Sequence, residues 1–170
     1  MARACATYAA DDERTDPFKH ALQRYKYGPD VSLAPALTRL MIRHCTLEVS
    51  RYDLIIAVPL HLSRLRWRGF NQALLLAHGV ARRFGCLLDP FALERVRATD
   101  PQVELDERAR RRNVAGAFRV SSDRRVAGRR VLLIDDVYTT GATADECSRT
   151  LKRAGAVYTD VLVLARAVLH

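Results

Sequence analysis

Residues 131 to 143, VLLIDDVYTTGAT, place two adjacent carboxylates, Asp135 and Asp136, after an apolar run and follow them with Thr139, Thr140, Gly141, Ala142 and Thr143. The apolar run reads as a buried parallel strand, and in an open parallel sheet ligands gather beyond the carboxyl ends of the strands. Alternation along a strand sends the two aspartates to opposite faces. The turn that follows enters a helix, where unpaired backbone N–H groups and the positive end of the helix dipole suit a phosphate. Gly141 lets the main chain approach closely, and the threonine hydroxyls add donors. Acids beside an anion cradle fit a ligand that carries both a phosphate and neutral vicinal hydroxyls. A ribose 5-phosphate is such a molecule, its hydroxyls donating to the acids while the threonine–glycine turn holds the phosphate.

Rival signatures fit poorly. Neither G-x-x-x-x-G-K-[ST] nor G-x-G-x-x-G occurs anywhere in the chain, which argues against a P-loop and a dinucleotide fold. A phosphorelay receiver domain also has an acid pair after an apolar strand, but needs that strand near its N-terminus and most of its acidic site afterwards. Only 34 residues follow Asp136. A helix start capped by Thr139 or Thr140, with the acids merely solvated, leaves two acids at a buried strand end unexplained.

The elements that must position this stretch are legible from periodicity. After a polar N-terminus rich in acids, Phe18, Ala21, Leu22 and Tyr25 recur at helical spacing and KYGPD stops the helix. Residues 31 to 47 read as a second helix, with Pro35 tolerable only in its first turn. DLIIAVPL, residues 53 to 60, is a strand covered on both faces. HLSRLRWRGFNQ then reads as a polar loop, and ALLLAHGVARRFG as a helix closed by Gly85. FALERVR and GAFRV are short strands. The polar stretch 98 to 114 between them is either a lid or a solvated helix. RRVLLIDD, TGATADECSRTLKRAGA and VYTDVLVLARAVL complete a strand, a helix and a strand. Alternating β and α units imply an α/β fold: a mostly parallel, twisted sheet with helices on both faces, wound by right-handed crossovers.

The chain has 170 residues and is 49% hydrophobic, enough for one domain with a real core. Its 28 Lys and Arg against 19 Asp and Glu leave a charge of +9, which favours phosphate-bearing partners or reflects a compositional preference for arginine. Cys5, Cys45, Cys86 and Cys147 form no C-x-x-C pair, so no zinc ribbon or redox dithiol is expected. No stretch has the roughly 18 apolar residues of a membrane span, and a cytoplasmic protein without membrane insertion is expected.

VLLIDDVYTTGAT resembles the phosphoribosyl pyrophosphate (PRPP) motif of type I phosphoribosyltransferases. VPLHLSRLRWRGFNQA, with Gln102, Arg110, Asn113 and GAF further on, resembles the ComF family, phosphoribosyltransferase-like proteins associated with competence for DNA uptake. The likeness runs from about Lys26 to Ala165. It departs at the front, where that family often has a four-cysteine zinc finger and this chain has Cys5 alone, so no zinc is expected. The resemblance implies a type I phosphoribosyltransferase-like core over residues 51 to 170, with a small N-terminal helical hood over residues 1 to 50 belonging to the same domain.

By that resemblance Asp135 and Asp136 bind the ribose hydroxyls of PRPP, and Thr139, Thr140, Gly141, Ala142 and Thr143 its 5-phosphate. Leu60, His61, Leu62, Ser63 and Arg64 face the pyrophosphate. Gln102, Arg108, Arg110 and Asn113 belong to a loop that closes over the sugar. Lys26 is a hood residue placed to neutralise phosphate. Mg²⁺ is the expected cofactor, held mainly by substrate oxygens, with Asp135 or Asp136 reaching it only through water. The implied reaction transfers ribose 5-phosphate to a base-like acceptor. A second reading makes the chain a binder of single-stranded DNA through Arg66, Trp67, Arg68 and Phe70, keeping the PRPP pocket without turnover. For Arg64, Arg66 and Arg68, which alternate with Leu65 and Trp67, a basic solvated loop over one buried aromatic is the plain alternative, and Gly69, Phe70, Asn71 and Gln72 read as the turn and cap of the following helix, with Asn71 and Gln72 candidates to face the site. Competence proteins and a second copy of the chain are the other expected partners.

Overall fold

The computed structural model describes residues 2–9, 17–28, 30–99 and 107–168. Its centre is a four-stranded parallel sheet in the order β1-β6-β5-β2, where β1 is Ala2–Ala9, β2 Leu54–Ala57, β5 Arg130–Tyr138 and β6 Tyr158–Val168. β2 is buried along its whole length, and Val131 to Ile134 of β5 have no exposed surface, as continuous apolar runs in a parallel sheet require. β3 (Leu93–Arg95) and β4 (Phe118–Val120) form a separate antiparallel pair.

The helices fall on both faces for a topological reason. From β2 the chain passes through α4 (Gln72–Phe84) to a parallel bridge between Leu88 and Ile55, moving away from β5. From β5 it passes through α6 (Ala142–Arg153) to β6, moving the other way. Right-handed crossovers running in opposite directions put their helices on opposite faces. α2 (Ala34–Arg43) packs on α4, and α5 (Glu107–Val114) packs on α6.

Several expectations are corrected. The polar N-terminal reading misses β1, whose residues ARACATYA pair with β6 from Ala2 to Ala9. An edge strand needs little apolar pattern when its main chain supplies the pairing. The second helix is shorter than residues 31 to 47: a 3-10 turn at Val31–Leu33 precedes α2, which stops at Arg43, with Pro35 in its first turn. HLSRLRWRGFNQ is not a loop. It contains α3, Leu62–Arg68, started by His61 and ended by Gly69 in the left-handed region at φ 81°. β5 does not end at the acid pair but carries it inside the strand and runs on to Tyr138. α1 (Pro17–Tyr27), by contrast, stops where KYGPD predicts.

Candidate functional site

The site grows from the C-terminal end of β5. Asp135 and Asp136 point to opposite faces, as alternation requires. Each carboxylate also accepts from the next residue's main chain, Asp136 N–H to Asp135 Oδ1 at 2.9 Å and Val137 N–H to Asp136 Oδ1 at 2.6 Å. These bonds fix both side chains at the sheet edge.

Asp136 is buried and met from the α4 and α1 side. Gln72 Nε2, at the start of α4, donates to its Oδ2 at 3.4 Å, and Lys26 Nζ, at the end of α1, lies 3.6 Å from Oδ1. Burial works against the Lys26 ammonium, but Asp136, Asp135, Tyr8 and Tyr27 outweigh it and raise its pKa. Gln72 is locked in place by its surroundings. Asn71 caps α4 by accepting from Ala73 N–H at 3.0 Å and donates its own Nδ2 to Val58 O at 3.1 Å, while the buried Tyr25 hydroxyl donates to Gln72 O at 2.8 Å. With Nε2 committed to the carboxylate, Gln72 Oε1 is left buried with no partner among the described residues. A ligand hydroxyl beside Asp136 would meet it.

Asp135 faces α6 and the β3–β4 pair. Burial and then the neighbouring Asp136 push its pKa up to about 7, against the pull of its own hydrogen bond, Lys26 and Arg95. Cys147 on α6, fully buried, feels the charge of Asp135 and Arg95 together, and its thiol is raised well above the usual range by burial first. Arg95 lies over the Phe118 ring at 5.3 Å with its Nε buried and unpartnered. Burial lowers its pKa, with Arg64 and Arg97 adding repulsion.

Past Tyr138 the chain turns through Thr139, Thr140 and Gly141 into α6. Gly141 is the N-cap at φ 81°, and no side chain caps the helix start. Only glycine serves there, because a Cβ would collide with the Tyr138 hydroxyl besides facing left-handed strain. Thr140 Oγ1 is buried without a partner among the described residues. The helix therefore presents uncapped N–H groups and an unmet hydroxyl together, the features an anion needs.

The other expected residues divide. Ser63 N–H donates to His61 Nδ1 at 3.3 Å, so His61 caps α3 and the expected pyrophosphate residues Leu60 to Arg64 gather at the start of that helix. On α3, Arg64 and Arg68 turn inward and Arg66 and Trp67 outward, with Trp67 70% exposed. Phe70 also turns inward, its ring 6.1 Å from Tyr25. The four nucleic-acid candidates are therefore not one surface. Gln102 lies outside the described residues. Arg108 and Arg110 ride on α5, where Arg108 is exposed and Arg110 Nε is buried without a partner. Asn113 offers its carbonyl, with that of Ala115, to Arg97 at 2.8 Å each, closing the end of α5.

Sequence reading missed two residues. Arg95 shares the inner face of β3 with Leu93, and an arginine in register with a buried leucine was the available signal. Arg111, for which a lid and a solvated helix were equal readings, pairs with Asp145 in the first turn of α6 at 3.2 Å and ties α5 to the helix start. Nothing in the spacing announced it.

No protein-family model matches the chain. It is 36% identical over 160 residues to the DNA utilization protein YhgH of Salmonella typhimurium, covering 91% of this chain and 69% of the relative. It is 34% identical over 158 residues to competence protein F of Haemophilus influenzae, covering 89% and 69%. Among solved structures, glutamine PRPP amidotransferase from B. subtilis superposes with a TM-score of 0.57 at 19% identity, over 84% of this chain but only 30% of that one. That likeness gives the fold. With the motifs, the parallel sheet and these relatives in agreement, the chain belongs to the ComF family of competence and DNA-utilization proteins, built on the phosphoribosyltransferase fold.

Proposed function

We propose that the chain binds PRPP with Mg²⁺ at the end of β5 and transfers ribose 5-phosphate from it to a base-like acceptor. The observation that carries this reading is an acid pair followed within one turn by an uncapped helix start. The acids accept from the sugar hydroxyls, and the main chain of Gly141 to Thr143 with the Thr140 hydroxyl receives the 5-phosphate. Lys26, Arg64, Arg68 and Arg95 supply more positive charge than the two acids offset, which suits the pyrophosphate. No residue need bond covalently to the sugar. The chain's part is to hold C1 and its leaving group in line and to exclude water.

Among the described residues no cluster of three or more metal-ligating side chains exists. Two carboxylates at one edge do suit an ion held mainly by substrate oxygens, with Asp135 or Asp136 reaching it through water. The ion's contribution when bound is to lower the charge on the departing pyrophosphate. Calorimetric titration with PRPP and Mg²⁺ tests the reading. Binding is expected, with Asp135→Ala plus Asp136→Ala abolishing it, and indifference to the double change would end the idea.

A second reading, retention of the pocket alongside single-stranded DNA binding, draws on Trp67 and Arg66, which share the outer side of α3 and are free for base stacking and phosphate contact. Among the described residues no helix is long and apolar enough to cross a membrane.

A further inference from the structure

The sheet has two rims, and they are not alike. On one, β1 presents mostly alanines and Arg3. Beyond β2, on the other, residues 86 to 89 add one short parallel segment: Ile55 N–H donates to Leu87 O at 2.8 Å, and Asp89 N–H donates to Ile55 O at 3.1 Å. In a parallel ladder the residue between those two turns its own N–H and C=O the other way. Those of Leu88 therefore point outward, and among the described residues nothing pairs with them. The Leu88 side chain itself packs on the core.

Large apolar side chains frame this open edge. Phe84 ends α4 at 37% exposed, Leu87 stands 55% exposed on the segment, and Phe91 follows it at 69%. Single exposed apolar residues are ordinary, but three of them between positions 84 and 91, beside an open main chain, form a patch. The turn that carries Phe91 is fixed. Asp89 Oδ1 accepts the Phe91 N–H at 2.9 Å, and Arg125 holds the same carboxylate at 2.7 and 2.8 Å. Pro90 has no N–H to offer and ends the edge, so whatever pairs with it must also gain from side chains.

The charge around the patch has one sign. Arg82 and Arg83, in the last turn of α4, are exposed, and among the described residues neither meets a carboxylate. The Arg83 guanidinium lies 5.6 Å from the centroid of the Phe84 ring. Asp89, the acid on the segment itself, is already taken by Arg125.

We propose that residues 84 to 91 dock an extended acidic segment of a partner protein, added to the sheet as a further strand. Its main chain pairs with the Leu88 N–H and C=O, its apolar side chains cover Leu87 and the two phenylalanines, and its carboxylates meet Arg82 and Arg83. A nucleic-acid strand would satisfy the arginines but leave the Leu88 edge unpaired. A second copy of this chain, joined edge to edge, would set the same arginines against each other. Ile55 and Leu132 are paired, so the segment lies level with a point three residues before Asp135 and stands apart from the proposed PRPP site.

The test is an NMR titration of the full, nitrogen-labelled chain with an acetylated peptide of about ten residues that alternates glutamate with valine. One control peptide has lysine for glutamate, and another has N-methylated valines, which cannot donate to an edge. The glutamate peptide is expected to shift the Leu88 amide resonance and slow its hydrogen exchange. Phe91→Ser should weaken binding about tenfold, and Arg82→Glu with Arg83→Glu should transfer the preference to the lysine peptide. PRPP calorimetry on Phe91→Ser should match the parent, keeping the two sites separate. A Leu88 amide indifferent to the peptide, a control peptide that binds the parent as well, or full affinity in Phe91→Ser overturns the docking site. Protection of the Leu88 amide by raised protein concentration alone assigns the rim to a second copy and overturns it too.

Discussion

The two aspartates differ by one position in sequence and by an entire environment in space. Asp136 meets a cation and an amide within the protein itself, Lys26 at 3.6 Å and Gln72 at 3.4 Å. Asp135 has burial and a second carboxylate against it, and in its favour one main-chain hydrogen bond from Asp136 N–H and the longer-range fields of Lys26 and Arg95. One acid is met by partners built into the protein, while burial and its neighbour push the pKa of the other up to about 7. The same alternation that gives a sheet two faces has here produced two kinds of carboxylate.

The largest expected effect breaks the satisfied side. Asp136→Ala leaves Lys26 without its close counter-ion and Gln72 without its acceptor, and should cost about 3 kcal/mol in urea unfolding. Combining Lys26→Met with Asp136→Leu should recover most of that loss, because the penalty lies in orphaned polar groups rather than in a missing attraction.

Asp135→Asn should act in the opposite direction. A carboxyl whose pKa is raised from 3.8 to about 7 binds more protons in the folded than in the unfolded state between those values. The wild-type protein therefore loses stability as pH rises through that window. The asparagine variant has no such charge to bury and keeps an oxygen for the Asp136 N–H. Its advantage should be absent at pH 3.5, grow from pH 4 to 7 and level off at pH 8 at on the order of 2 kcal/mol, read as melting temperature against pH. PRPP binding by the unmodified protein should strengthen over the same interval.

The smallest effect sharpens the comparison at the helix start. Gly141 and Gly85 both sit in the left-handed region, at φ 81° and 68°, but an added Cβ at 85 meets open space and one at 141 meets Tyr138. Each change to alanine carries left-handed strain of about 1 kcal/mol, and Gly141→Ala should cost about 1 kcal/mol more. Paired thermal melts measure the difference.

Much of this was legible in order of residues alone. Continuous apolar runs marked β2, β5 and β6, because burial on both faces imposes a composition, and the acid pair and the glycine that starts α6 stood out beside the β5 run. α3 was not legible. Its arginines and tryptophan mimic a solvated loop, and its start depends on a histidine ring accepting a main-chain N–H, which is not a common cap. β1 was invisible because its place is set by a partner about 160 residues away in sequence rather than by local pattern. Lys26, named as a hood residue placed to neutralise phosphate, lies beside Asp136 as its counter-ion, a relation between helix end and strand that no spacing encodes.

The parallel partnership of β1 with β6 has a temporal side. Among the described residues β1 has no other strand beside it, since the order β1-β6-β5-β2 puts it at the rim. β1 must therefore wait during synthesis for a strand about 160 residues further along the chain, and the sheet edge cannot close while synthesis is still at the acid pair. During that interval Ala2–Ala9 is an unpaired ribbon in search of a neighbour. Its short alanine side chains and the charge of Arg3 make it a poor seed for the wrong one.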